Sequence, residues 1–207
     1  MTADTAATSA VPSADAATIG AVILAAGFGR RFGADKRLAR FKDQTVAGTT
    51  VSLYRQVFEH VRVVLRPEDD ALRAALAGQD ITIVTAADAK AGMGHSLAAG
   101  VTGLAWRYAF VALADMPFLR RDTLATLAAA AEASGWDAIV RPHVEHPDAP
   151  AQTHPVGLPA DLFEEARASR GDQGARALLA RHTDRIVWVA VDDHGVWRDI
   201  DRPEDIP

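Results

Sequence analysis

The residues best suited to chemistry lie near the start of the chain, where residues 20–38 read GAVILAAGFGRRFGADKRL. An apolar run at 21–26 breaks abruptly into a loop that is rich in glycine and in basic residues. Its glycines are Gly27, Gly29 and Gly33, and its basic residues are Arg30, Arg31, Lys36 and Arg37. Glycine lets backbone amides approach an anion closely, and Arg and Lys neutralise its charge. The stretch therefore predicts a loop that binds a polyphosphate.

The sequence of this stretch does not match either of two common phosphate-binding motifs. A P-loop requires G-x-x-x-x-G-K-[ST], but the gap after Gly29 is wrong and Lys36 comes two residues too late. The dinucleotide fingerprint G-x-G-x-x-G fails because Phe32 stands at the third glycine. Neither a P-loop ATPase nor a Rossmann dehydrogenase is favoured, and a plain surface turn is the structural alternative.

A second chemical position is Asp115, which follows the apolar run Tyr108 to Leu113 and precedes Met116-Pro117. In an open parallel sheet, ligands bind beyond the carboxyl ends of the strands, so Asp115 is expected beside the glycine loop. A carboxylate there is suited to hold Mg²⁺ on a bound triphosphate. The alternative is a turn or helix-capping aspartate.

Composition limits the class of protein. The 207 residues are 49% hydrophobic and 24% charged, which suits a single α/β domain. A net charge of −5 argues against a nucleic-acid partner, and there is no cysteine for disulfides or thiolate sites. Residues 1–18 are small and polar and predict a disordered tail, leaving a domain at 19–207. No run approaches a membrane span, so we expect a soluble, cytoplasmic protein without a membrane partner.

The elements needed to position these residues alternate along the chain. Strands are predicted at 21–26, 61–65, 81–84, 108–113, 137–140 and 186–191, with helices at 51–58, 67–78, 96–104, 122–133, 161–168 and 174–181. Thr49 and Thr50 are the expected N-caps of the first helix. This alternation predicts a three-layer αβα sandwich of Rossmann-like type with a mainly parallel sheet, and a small antiparallel element in the last third.

The first loop also resembles a known family. The pattern L-A-A-G-x-x-x-R-x-G-x-x-K is similar to the signature of the MobA-like NTP transferase family, which includes molybdenum cofactor cytidylyl- and guanylyltransferases. It is filled here by Leu24, Ala25, Ala26, Gly27, Arg31, Gly33 and Lys36. The resemblance continues from about Ile19 to the C-terminus. It implies that Arg31, Lys36 and Asp115 are catalytic, and that the nucleotide is bound by all the residues of this pattern together with Gly29.

Two further motifs extend the resemblance on the nucleotide side. Two segments resemble the metal-binding motifs of the family, Ala114-Asp115-Met116-Pro117 and residues 199–205. This resemblance implies that Asp115 and Asp201 hold Mg²⁺, and that Asp199 is the less suitable ligand. The segment 92–97 resembles the loop that meets the base and ribose, which implies nucleotide contacts from Gly94 and Ser96. The sequence of this segment, together with Ala26 in the first loop, resembles the cytidylyl branch of the family. It implies that CTP is the nucleotide donor.

On the acceptor side, 154–156 and 172–176 resemble segments that imply acceptor contacts from His154 and Arg176. The implied reaction is transfer of CMP from CTP to the phosphate of a molybdopterin-type acceptor with release of pyrophosphate, the product passing to a molybdenum hydroxylase. The alternatives are GTP as donor, another phosphorylated small molecule as acceptor, or a carrier protein that binds nucleotide and cofactor without catalysis.

Overall fold

A seven-stranded sheet forms the centre of the molecule in a computed structural model of the chain, which describes residues 18–28, 32–146, 150 and 152–207. The strand order is β5-β4-β1-β6-β8-β7-β9. The strands are β1 Ile19–Leu24, β2 Arg40–Phe41, β3 Gln44–Thr45, β4 His60–Leu65, β5 Thr82–Thr85, β6 Tyr108–Leu113, β7 Ile139–His143, β8 Val156–Pro159 and β9 Ile186–Ala190. β2 and β3 form a separate antiparallel hairpin.

The central strand β1 is buried on both faces, as its continuous apolar run requires. It pairs in parallel with β4 on one side and with β6 on the other. Ala21 and Ile23 pack into one core layer, whereas Val22 and Leu24 pack into the opposite layer. This alternation makes β1 the common wall of two hydrophobic cores and fixes the position of the loop that follows it.

In the described part of the chain, six α-helices cover the two faces of the sheet and complete the predicted αβα sandwich. They are α1 Val46–Arg55, α2 Asp70–Ala75, α3 Met93–Val101, α4 Arg121–Ala133, α5 Phe163–Arg167 and α6 Arg176–Arg181. Apolar residues of α1, α2 and α4 belong to one core layer, and those of α3, α5 and α6 to the other. None of the described helices is long and apolar enough to cross a membrane.

The structure corrects several predicted boundaries. The first helix begins at Val46, not near residue 51, because the Thr45 side chain accepts a hydrogen bond from the Gly48 amide and caps it. The predicted caps Thr49 and Thr50 lie inside this helix, where Thr50 donates to the Val46 carbonyl. The third helix begins at Met93, because Gly92 adopts φ +121° and ends the preceding turn there.

The predicted antiparallel element is β8, which lies inside the sheet. It pairs antiparallel with both β6 and β7. A four-residue strand that contains Gly157 and Pro159 carries no alternating pattern, which is why its position could not be predicted. Gly157 makes room for Tyr108, whose hydroxyl donates to the Ala138 carbonyl and accepts from the Val140 amide.

We predict that Gly157→Ala lowers the free energy of unfolding by about 1–3 kcal/mol, because it overpacks this site. An added Cβ would lie 2.5 Å from the Tyr108 hydroxyl and 2.9 Å from Phe110 Cε1. Urea denaturation of the single variants and of Gly157→Ala with Tyr108→Phe measures the coupling. The double variant should lose less stability than the sum of the singles, and strict additivity would contradict the packing argument.

Candidate active site

The chemical residues meet at the carboxyl edge of the central strands. β1 and β6 end side by side at Leu24 and Leu113, and the Ala114 amide continues the pairing by donating to the Leu24 carbonyl at 3.1 Å. Asp115 is therefore delivered directly beside the start of the glycine loop. The parallel arrangement of β1 and β6 explains this position without any contribution from the loop itself.

Lys36 is the cation at the centre of this edge. Its ammonium lies 2.7 Å from Asp115 Oδ2 and 2.7 Å from Asp201 Oδ1, and the whole residue is only 8% exposed. Burial alone would lower the pKa of Lys36, but the charges and hydrogen bonds of Asp115 and Asp201 outweigh burial and raise it. Lys36 is therefore held as an ammonium ion between two carboxylates.

Three carboxylates at this edge are suitable ligands for a divalent cation. Oxygens of Asp115, Asp199 and Asp201 all lie within 4.8 Å of one another. Asp115 Oδ1 is buried and has no hydrogen-bond partner among the described residues, so it is available to a cation. Burial, together with the charges of Asp115 and Asp201, raises the pKa of Asp199. The set of hard oxygen donors fits Mg²⁺ or Mn²⁺.

The C-terminal segment is fastened to this edge by its backbone. The Ile200 amide donates to the Asp115 carbonyl at 2.9 Å, and the Ile200 side chain is fully buried. Asp205 accepts from the amides of Asp201 and Arg202 at 2.9 and 2.7 Å. These bonds bring Asp199 and Asp201 next to Asp115, although 80 or more positions separate them in sequence.

Arg37 has a structural function. Its place in the basic cluster of the sequence instead predicts that it faces a ligand. Its guanidinium binds both oxygens of Asp69 at 2.6 Å, both oxygens of Asp35, and the carbonyl of Ala25. Arg66 donates to the same Asp69 carboxylate. This buried network holds the end of β1 against the segment after β4, and it uses the positive charge of Arg37 within the protein.

A cavity of about 430 Å³ opens above this edge. Of the predicted nucleotide-binding residues, it is lined by Leu24, Ala25, Ala26, Gly27, Lys36 and Ser96, together with Asp115. Gly33 and Gly94 do not line it. A Cβ on Gly94 would lie 2.7 Å from the Arg170 backbone, so this glycine serves close packing. Gly29 and Arg31 lie outside the described residues.

A larger groove of about 880 Å³ adjoins the first cavity, and Met93 and Asp172 line both. The two residues that the sequence predicts for the acceptor, His154 and Arg176, line this second groove. Arg176 is exposed at the start of α6. The two spaces therefore share one wall, and a molecule in the groove can approach a molecule in the first cavity.

His154 is held in a neutral state. Burial lowers its pKa to about 4, and the positive charge of Arg141 acts in the same direction. Its amide donates to the Val196 carbonyl at 2.7 Å, and the preceding Thr153 hydroxyl donates to the Pro142 carbonyl at 2.6 Å. Nδ1 of His154 is buried with no hydrogen-bond partner among the described residues. These bonds fix the backbone at His154, the ring has a hydrogen bond with the Val111 backbone, and the residue lines the groove.

Sequence reasoning undervalued two residues of this region. Asp199 belongs to the carboxylate cluster, and its alternation with Asp201 around a buried isoleucine was the available signal. Arg141 lines the groove although 92% of its surface is covered. A basic residue inside an otherwise apolar strand was a signal for Arg141, but the sequence alone does not show which face of the strand it occupies.

Comparisons with known proteins agree with this architecture. The MobA-like NTP transferase domain matches residues 21–186. Among curated proteins, no sequence matches the chain significantly. The crystal structure of Rv0371c from Mycobacterium tuberculosis H37Rv is 26% identical with a TM-score of 0.73, covering 92% of this chain and 95% of that one. A second structure of Rv0371c is described as a complex with manganese.

Two more distant structures share the fold. A nucleotidyl transferase from Methanothermobacter thermautotroptrophicus is 21% identical with a TM-score of 0.76, covering 91% of this chain and 94% of that one. The 4-diphosphocytidyl-2C-methyl-D-erythritol synthase from Anaerococcus prevotii is 18% identical with a TM-score of 0.70, covering 91% and 94%. The chain belongs to the MobA-like NTP transferase family, and its fold is that of a nucleotidyltransferase.

We predict that Asp69→Asn destabilises the protein by about 3 kcal/mol, because it removes the charge of the more deeply buried of the two carboxylates that pair with the buried guanidinium of Arg37. Asp80→Asn is the matched control, since Asp80 also pairs with an arginine, Arg55, but its side chain is 91% exposed. The control should unfold at the wild-type urea midpoint. Equal midpoints for all three proteins would contradict the importance of the buried network.

We also predict that His154 makes folding sensitive to acid. Its pKa is lowered from 6.5 to about 4 in the folded chain, so between these values the unfolded chain binds a proton that the folded chain does not. Stability is therefore lost as the pH falls through this window. His154→Gln should show a flatter dependence of unfolding free energy on pH than wild type from about 6.5 to about 4.

The control for this measurement is His143→Gln, at an exposed position on the same groove. The predicted slope comes from the buried ring of His154, which this variant leaves in place, so the pH dependence specific to His154 should be retained. A His154→Gln profile that is parallel to wild type across the window would contradict the prediction.

Proposed function

We propose that the protein transfers CMP from CTP to the phosphate of molybdenum cofactor, releasing pyrophosphate, in a reaction that depends on Mg²⁺. The observation that carries this proposal is the group of Lys36, Asp115 and Asp201 at the edge of the cavity that adjoins a second, larger groove. A nucleotidyl transfer requires a place for the triphosphate, a place for the acceptor, and charge compensation near both.

The donor side is supported by the cavity above β1 and β6. It is lined by residues 24–28 and by the buried Ser96, and Lys36 supplies a positive charge beside the carboxylates. The proposed role of Lys36 is to neutralise charge on the triphosphate, and the proposed role of Arg31 is the same. CTP is preferred because Ala26 and the segment 92–97 resemble the cytidylyl branch of the family.

The proposed metal ligands are Asp115 and Asp201, and Asp199 joins them on geometric grounds. A bound Mg²⁺ would compensate phosphate charge during the transfer. The structural argument for this ion is the compact set of three carboxylates and the buried, unbonded oxygen of Asp115 among the described residues. Lys36 bridges two of the same carboxylates and limits their mutual repulsion in the protein alone.

The acceptor side does not require a strong general base. A phosphate monoester is already an anionic nucleophile, so alignment and charge compensation supply most of the catalysis. His154, which is neutral at physiological pH, is proposed to hydrogen-bond the acceptor, and Arg176 to attract its phosphate. The oxygen of the acceptor phosphate attacks the α-phosphorus in line, and the bond to pyrophosphate breaks. The resulting dinucleotide would be passed to a molybdenum hydroxylase.

We predict pyrophosphate release from CTP that requires both molybdenum cofactor and Mg²⁺, measured with each of the four NTPs. Asp115→Ala and Asp201→Ala should each lower the rate by about a hundredfold or more, because charge compensation at the reacting phosphates is lost. Chelation with EDTA should abolish release, and added Mg²⁺ should restore it. Asp88→Ala, at an exposed position, is the control and should retain the wild-type rate.

Each other outcome identifies an alternative. Release that requires GTP would make the protein a guanylyltransferase. Release with CTP and a different phosphorylated acceptor, such as methylerythritol phosphate, would replace the cofactor as substrate. Binding of nucleotide without release of pyrophosphate from any NTP would support a carrier protein and overturn the enzymatic proposal.

A further inference from the structure

The floor of the larger groove is one face of the β7–β9 strand pair. The two strands run parallel, with Arg141 paired to Trp188 in register. Because side chains alternate along a strand, Arg141 lies on the same face as Ile139, and Trp188 on the same face as Ile186. Ile139 is buried in the core layer beneath α3, α5 and α6, and Ile186 packs against that layer. Beyond the end of this core layer, Arg141 and Trp188 occupy the same face and line the groove.

Arg141 and Trp188 form a stacked pair in this position. The guanidinium carbon of Arg141 lies 4.5 Å from the centre of a Trp188 ring, within the range of a cation–π contact. Arg141 is 8% exposed, whereas Trp188 is 50% exposed. The aromatic ring therefore shields one side of the cation from water while both residues still border the groove. A planar guanidinium held in this way is well suited to a forked contact with an oxyanion.

The charge of Arg141 acts close to the reacting edge. Both Arg141 and Asp115 influence the pKa of His154, Arg141 lowering it and Asp115 raising it. His154 thus lies in the neighbourhood of both residues, and Arg141 lies near the reacting edge as well as on the groove. Burial lowers the pKa of Arg141.

We propose that Arg141 is the residue that binds the anionic group of the acceptor, with Trp188 holding its guanidinium in position, and that the groove takes an organic phosphate monoester. This assignment rests on the proposed function for the identity of the groove as the acceptor site. It adds a buried anchor to the exposed Arg176, whose long side chain stands in solvent at the start of α6.

The test uses the full chain labelled with 5-fluorotryptophan, without nucleotide or metal, so that it does not depend on turnover. The chain has four tryptophans, and Trp188→Phe assigns the ¹⁹F resonance of Trp188. Phenyl phosphate is titrated as the probe, with phenol as the uncharged comparison. We expect a saturable shift of the Trp188 resonance with phenyl phosphate and none with phenol. Arg141→Met should weaken this binding about tenfold or more, and Arg141→Lys should weaken it less.

The matched control is Arg62→Met. Arg62 also stacks on a tryptophan, Trp106, at 5.7 Å, and burial lowers its pKa in the same way, but it does not line the groove. This control should bind phenyl phosphate like wild type. Retention of the Trp188 shift in Arg141→Met, or no saturable shift in wild type, would overturn the assignment.

A separate measurement distinguishes this assignment from the proposed reaction. CTP affinity of Arg141→Met, measured by calorimetry with Mg²⁺, should stay within about twofold of wild type, which also shows that the variant is folded. If Arg141→Met binds neither phenyl phosphate nor CTP, the Arg141→Lys variant decides between the two readings. Weakened binding of phenyl phosphate with wild-type CTP affinity supports the assignment. Wild-type binding of both phenyl phosphate and CTP overturns it. Probe binding at Arg141 without any pyrophosphate release would refute the transferase and leave the anion site intact.

Discussion

The structure depends on the ammonium of Lys36 lying between the carboxylates of Asp115 and Asp201. This contact joins the end of the first loop to residues 165 positions later in the chain. Without a cation, three carboxylates crowded within 4.8 Å would repel one another at a half-buried edge. Lys36 offsets that repulsion, and the Ile200–Asp115 backbone bond fixes the geometry. The chemistry at this edge is therefore supported by long-range pairing as much as by the local loop.

Lys36 and Arg37, two basic residues that follow the first loop, differ in the carboxylates with which they pair. Arg37 is 3% exposed, and its positive charge is paired with Asp35 and Asp69 inside the protein. Lys36, its neighbour in sequence, points to the carboxylates at the edge of the cavity. A rigid network beside the ammonium of Lys36 suits alignment at a phosphate site, because pre-organised groups need little rearrangement when the ligand binds. Of these two sequence neighbours with the same charge, Arg37 supports the fold, and Lys36 is the one to which the proposed function gives a chemical role.

Much of the fold was predictable because hydrophobic runs and helical spacing recur along the chain. β6 was predicted at its observed limits, and the position of Asp115 followed from the rule for parallel sheets. The reversed β8 was predicted only as an antiparallel element without a position, because Gly157 and Pro159 interrupt any pattern. The early start of α1 was missed because capping by Thr45 depends on the hairpin just before it. Arg141 was missed because its role depends on which face of β7 it occupies, and that is set by pairing with β9.

The charges of the two spaces explain why a neutral His154 suits the proposed reaction. An acceptor phosphate arrives as an anion, so the groove has to supply positive charge near it and does not have to remove a proton. A protonated imidazole between Arg141 and the core would add a second buried cation, and burial together with Arg141 prevents this by lowering the pKa of His154. The ring then contributes hydrogen bonding and shape, while the arginines contribute charge. Because His154 stays neutral, it adds no further positive charge to that of the two arginines, so the acceptor can be oriented without being bound too tightly.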